Sequence, residues 1–182
     1  MAVIGRQKLC CKIGNKKMTA QVHEILIFNG KESSMAFCPP IPETLNTVIK
    51  LSDDEVEKQM KNGEIDDDIF STACWRDYIG TWEIKDGKFY LKDIVGCYKK
   101  VSRDPLFAEW FSGVIRIPKG NILQGVHMGF GLVYENEVHI KIENGIIIKQ
   151  REVCNVGKKF DRHELAMKNL PGGENLFNGD DF

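Results

Sequence analysis

The chain contains no C-x-x-C pair and no apolar run near the ~18 residues that a membrane helix needs. Its cysteines, Cys10, Cys11, Cys38, Cys74, Cys97 and Cys154, are scattered. Without paired spacing they read as free, mostly buried thiols in a reducing compartment rather than as a disulfide framework. The N-terminal text lacks the apolar core of a secretory signal, so the expectation is a cytoplasmic protein with no membrane span. Charge of one sign is missing too: 25 Lys and Arg against 26 Asp and Glu give a net charge of −1. That balance argues against a general nucleic-acid binder, although not against a local basic patch. There is no internal repeat or low-complexity tract.

What remains is ordinary globular composition: 182 residues, 42% hydrophobic and 28% charged. A single domain of this size buries roughly 70% of the surface its unfolded chain exposes. It needs neither disulfide nor metal for stability, and no cofactor is expected. The expected organisation is a basic arm over 1–17, a β-rich core over 18–160, and a C-terminal helix with an acidic tail over 161–182.

The fold class expected is α+β: a mostly antiparallel, hairpin-rich sheet with about three short helices. Gln21–Phe28 reads as a strand, Asn29-Gly30 as its turn, and Lys31–Phe37 as the return. Cys38-Pro39-Pro40-Ile41-Pro42 then ends strand pairing. Ser52 with Glu55 is a capping box, Leu51 with Val56 its hydrophobic staple, and Asn62-Gly63 the stop of a short polar helix. In Trp82–Leu91, Asp86-Gly87 fits a two-residue type I′ loop that pairs Ile84 with Phe89 and Trp82 with Leu91 on one face. Asp104-Pro105 followed by Leu106, Phe107, Trp110 and Phe111, and stopped by Gly113, reads as a second helix. Val114–Ile117 reads as a strand ending at Pro118. A hairpin over Glu137–Gln150 is expected to turn through three residues, Glu143-Asn144-Gly145, pairing Ile142 with Ile146 and Ile140 with Ile148. Asp161-x-x-Glu164 starts a third helix.

Chemistry is thinly marked. Cys74 beside Arg76, with His127 as base and Glu135 behind it, is the one nucleophile–base set available to a small hydrolase or transferase. The bland reading is a buried thiol beside a core tryptophan. Gly125-Val-His-Met-Gly-Phe-Gly131 invites a ligand loop, but no Gly-Lys-Ser/Thr follows it and no helix opens after it, so a bent strand is preferred. Glu135, Glu137 and His139 alternate and, with His127, pose a metal question. A solvent-facing row opposite Val138, Ile140 and Ile142 is favoured, and no metal site is assigned. Asp66-Asp67-Asp68 lacks the spacing of a cation loop.

Binding is better marked than catalysis. Trp75, Arg76, Trp110, Phe111 and Arg116 form an aromatic and arginine set of the kind that anchors protein interfaces. The tail ending at Phe182 resembles, in miniature, the acidic phenylalanine-ending tails of bacterial and phage single-stranded-DNA-binding proteins, which dock on partner proteins. Arg6, Lys8, Lys12, Lys16 and Lys17, with no acid among them, are the one place for nucleic acid to bind.

The stretches Cys74–Ile84, Phe89–Ile94, Phe107–Gly120 and Val126–Glu135 together resemble a bacterial and phage protein family that carries no known activity. The likeness covers roughly residues 18–150 and implies no catalytic role. The function expected is a non-enzymatic protein-binding module of inhibitor, immunity or anti-defence type. The alternatives are the Cys74, His127 and Glu135 enzyme, and a nucleic-acid accessory protein using the basic arm.

Overall fold

The computed structural model of the chain describes residues 19–126, 129–163 and 165. Its strands are β1 (Glu24–Phe28), β2 (Lys31–Met35), β3 (Val48–Lys50), β4 (Tyr78–Lys85), β5 (Lys88–Gly96), β6 (Tyr98–Lys100), β7 (Leu106–Phe107), β8 (Gly113–Gly125), β9 (Leu132–Glu143) and β10 (Ile146–Cys154). The main sheet runs β2-β1-β4-β5-β10-β9-β8, with β7 added beside β5. The sheet then curls towards closure: the Ala36 N–H, just past β2, donates to the Arg116 carbonyl on β8 at 2.8 Å. The inward faces bury Leu26, Met35, Trp82, Phe89, Leu91, Phe111, Ile115, Ile117, Val138, Ile140 and Ile142 in one apolar core. Trp82 and Phe89 stack there with ring centroids 4.8 Å apart.

The β1–β2 and β4–β5 turns form as the sequence implies. Asn29, Gly30, Asp86 and Gly87 all have positive φ, which matches the right-handed strand twist. Ile84 pairs with Phe89 and Trp82 with Leu91. The helix α1 (Asp53–Lys61) carries the full Ser52/Glu55 capping box, and Gly63 at φ +71° follows its C-cap Asn62. Val56, the staple residue, packs with Leu51, Ile65, Ile69, Cys74 and Cys97 in a second, smaller core. The β3–β6 ribbon stands as a separate two-stranded sheet. No helix among the described residues is long and apolar enough to cross a membrane.

Four expectations need correction. The sheet is mixed rather than simply antiparallel-hairpin in kind, because β1 pairs parallel with β4. Among the described residues there is one α-helix rather than about three. The expected helix from Asp104 is instead β7 followed by a tight turn: Leu106 pairs with Leu91, and the Ala108 N–H donates to the Phe89 carbonyl at 2.9 Å. A helix of fewer than ten residues is marginal by itself, and pairing with β5 overrides its capping signals. The Asp161 segment shows a helical turn, with the Leu165 N–H donating to the Asp161 carbonyl at 3.0 Å; the rest of that expected helix lies outside the described residues.

Third, β8 does not stop at Pro118 but continues to Gly125. Pro118 sits opposite Glu137 at a position whose nitrogen faces away from β9, so no ladder bond is lost. Fourth, the β9–β10 loop has two residues, not three. Asn144 and Gly145 both adopt positive φ, Ile146 pairs with Glu143 and Ile147 with Ile142, and the extra residue appears further on as a bulge at Ile148. Ile140 therefore faces Gln150.

Candidate functional site

The nucleophile of the enzyme reading is closed off. Cys74 is completely buried in the smaller core, and its thiol donates to the Tyr78 carbonyl at 3.2 Å. Burial raises its pKa, so the thiolate that catalysis needs is disfavoured. Glu135 is engaged elsewhere: its carboxylate accepts from the Asn121 backbone N–H at 3.0 Å and side-chain amide at 3.2 Å, bonds that hold its pKa below the ordinary value. His127 lies outside the described residues.

Arg76 and Arg116, expected at a binding surface, are internal struts. The Arg76 guanidinium pairs with Glu24 and donates to the Val22 carbonyl at 2.9 Å. Glu24 has no exposed surface in its side chain, and it also accepts from the Gly80 N–H and from the Trp82 indole at 3.0 Å. Gly80 makes this possible, since a Cβ there would stand 2.7 Å from the Trp82 indole nitrogen. Burial holds the Glu24 carboxyl above its ordinary value, although Arg76, the indole and the Gly80 amide pull it back part of the way. Burial pushes Arg76 down, but the opposing charges around it, that of Glu24 the largest among them, together hold the guanidinium above its usual value. Three donors on one carboxylate make this an ion pair. Cys38 and Tyr78, whose hydroxyl lies 3.7 Å from the Cys38 sulfur, close the site, and burial raises both of their pKa values.

A second cluster sits on the opposite face of the sheet. Arg116 on β8 donates to the Phe130 carbonyl at 2.7 Å and lies 3.6 Å from Glu137 on β9, which His139 meets at 2.8 Å. All three side chains are at least nine-tenths buried, so the Glu135, Glu137 and His139 row is not a solvent face. The alternation is real, but Glu137 and His139 are paired and covered. Burial works to raise the Glu137 carboxyl; the His139 hydrogen bond and the Arg116 charge outweigh it and leave it below its ordinary value. Among the described residues no group of three potential ligands converges as a metal site. His23 lies between the clusters, with its ring against Phe130 and Tyr134 and Nδ1 2.6 Å from the Ser34 hydroxyl. Burial first, then the Arg116 and Arg76 charges, lower its pKa to about 4.

The aromatic set divides. Phe111 is core, against Phe37 and Phe89. Trp110 is partly buried and its indole donates to the Pro40 carbonyl at 2.9 Å. Trp75 is partly buried, and its backbone N–H donates to the Gln21 side chain. The structure does not bring Trp75, Arg76, Trp110, Phe111 and Arg116 together as one exposed patch. Phe182 and the basic residues Arg6, Lys8, Lys12, Lys16 and Lys17 lie outside the described residues.

The exposed feature that sequence reasoning missed is an edge. β10 pairs along its length with β9, but with β5 only at Ile146 and Lys88. Beyond that point no strand among the described residues covers its other side, and Ile148, Lys149, Gln150, Glu152 and Cys154 are exposed. Beside this edge a shallow groove is lined by residues 136–138 of β9, residues 152–154 of β10 and Lys119, with Glu137 and Glu152 its acidic members. The bulge and the exposed charges are a common device against indiscriminate edge pairing. No local pattern in the sequence marks this edge, because its openness depends on which distant segments fail to lie beside β10. No protein-family model, curated protein or solved structure matches the chain.

Proposed function

We propose that this chain is a non-enzymatic protein-binding module that engages its partner through the β10 edge. The observation that carries this reading is the unpaired stretch of β10 beyond Ile147, whose N–H still donates to the Gly87 carbonyl, among the described residues. In antiparallel pairing, alternate residues turn their N–H and C=O away from the neighbouring strand. From the Ile146–Glu143 pair and the bulge, these outward positions on β10 are Gln150 and Glu152. An extended partner segment gains main-chain hydrogen bonds there. The inhibitor, immunity or anti-defence type of module fits this arrangement, because such a protein acts by occupying a surface and needs no catalytic group. The buried, hydrogen-bonded Cys74 thiol weighs against the enzyme alternative.

The test is a Gln150→Pro variant. Its proline nitrogen faces the open side, so the β9–β10 ladder stays intact. A partner recovered from the source organism, then purified and mixed with the chain, is expected to bind the wild type and to lose binding to the variant. Undiminished binding to a folded Gln150→Pro chain, or turnover that depends on Cys74, would contradict the reading.

A further inference from the structure

The seam between β2 and β8, where the sheet curls towards closure, carries an ionisable plug. Continuing the β1–β2 register past the Glu24–Met35 pair sets His23 opposite Ala36. Ala36 is the residue whose N–H reaches the Arg116 carbonyl on β8. The His23 ring spans this seam. On its own side Nδ1 lies 2.6 Å from the Ser34 hydroxyl of β2. On the far side the ring meets Phe130 and, in β9, Tyr134, at centroid distances of 5.9 and 6.1 Å. The charged groups around it are already committed. From β8 comes Arg116, met at 3.6 Å by Glu137 of β9, and Glu137 also serves His139. From the segment before β4 comes Arg76, which donates to the carbonyl of Val22, the residue before His23, and pairs with Glu24. β9 adds the Tyr134 phenol, which burial keeps neutral. β2 adds Glu32, which is exposed, lines the same shallow groove as His23 and forms no ion pair with it. A proton added to the ring therefore finds both buried carboxylates engaged and faces two guanidiniums, one of them on the strand across the seam.

We infer that His23 is an acid-sensitive latch on the β2–β8 seam, closed while the ring is neutral and released when the ring takes up a proton from solvent. The protonated ring turns out into the shallow groove that it shares with Glu32, and its contacts with Phe130 and Tyr134 are lost. The opening is local, because Met35 and Ile115 on the inner face stay packed in the main core. Burial first, then Arg116 and Arg76, hold the folded ring at a pKa of about 4 against 6.5 in an open chain. The latch is therefore shut above pH 6.5 and gives way progressively as pH falls towards 4. Release exposes a backbone donor at Ala36 and an acceptor at Arg116, on the side of the sheet away from β10. The latch does not depend on what β10 binds.

The experiment is amide hydrogen exchange of the full chain, read by nuclear magnetic resonance as protection factors so that the intrinsic pH dependence of exchange drops out. Between about pH 7 and about pH 5 the protection of Ala36 is expected to fall about tenfold, and His23→Gln is expected to abolish that fall. A second measurement separates the latch from general acid destabilisation. Exchange at Ala36 should stay nearly flat across low urea concentrations, because its opening exposes little surface. Exchange at Phe89, whose N–H donates to the Gly145 carbonyl at 2.8 Å in the main core, should rise steeply over the same range. If His23→Gln does not fold, the wild-type ring decides the matter: its resonances must titrate near pH 4 rather than at the ordinary 6.5. Protection of Ala36 that ignores pH, a fall that survives in His23→Gln, a ring that titrates at its ordinary value, or one urea slope shared by Ala36 and Phe89 overturns the inference.

Discussion

The β4–β5 and β9–β10 hairpins begin from the same turn chemistry and end in different circumstances. Each turns through two residues of positive φ, Asp86-Gly87 in one and Asn144-Gly145 in the other. The first is covered on both flanks: β1 lies along β4, while β7 and the tip of β10 lie along β5. The second is covered on the β9 side by β8 and, among the described residues, left open along most of β10. The tips differ in the opposite sense. A Cβ at Gly87 would meet nothing within 4 Å, whereas one at Gly145 would stand 2.7 Å from the Ala108 carbonyl oxygen. Local turn chemistry makes a hairpin; what its outer edge meets is decided by segments far away in sequence.

That contrast can be broken most severely inside the closed hairpin. Trp82→Ala removes a fully buried ring stacked on Phe89 and is expected to cost about 4 kcal/mol in denaturant unfolding. Ile148→Ala on the open strand, where the side chain is 52% exposed, should cost less than about 0.5 kcal/mol. The two tips come next. Gly145→Ala should cost about 3 kcal/mol, from its positive φ and its contact with Ala108, and Gly87→Ala about 1 kcal/mol, from φ alone.

A pH effect follows from His23, which flanks β1 where the sheet nears closure. Its folded pKa of about 4 lies below the unfolded value of 6.5, so the folded state favours the neutral ring. The corresponding stability is fully present above pH 6.5 and is lost as pH falls towards 4. The loss should be about 2 kcal/mol after allowing for solvent screening of a partly exposed ring. His23→Gln should flatten the profile across that window. The smallest effect is expected at the open edge, where Gln150→Pro should shift stability by less than about 1 kcal/mol.

Much of the fold was legible from local text. The Trp82–Leu91 register follows from Asp86-Gly87 and a clean period of two, and α1 follows from its capping box. The β9–β10 register was not legible to the same degree, because Ile146-Ile147-Ile148 presents apolar residues on both faces and cannot say where a bulge falls. The Asp104 segment carries real helix-start signals, and only its pairing with β5 overturns them. The site was less legible still. Arg76 and Arg116 look like interface arginines because their carboxylate partners, Glu24 and Glu137, are distant in sequence. An open edge is a statement about which strand is not a neighbour, and composition carries no sign of that.

Amide hydrogen exchange along β10 in the free protein tests the central claim most directly. If the edge is open, Lys149 and Arg151, whose N–H groups face β9, should be protected, while Gln150 and Glu152 between them should exchange at rates close to those of an unstructured chain. Protection of Gln150 and Glu152 equal to that of their neighbours would show the edge already covered and would contradict the account.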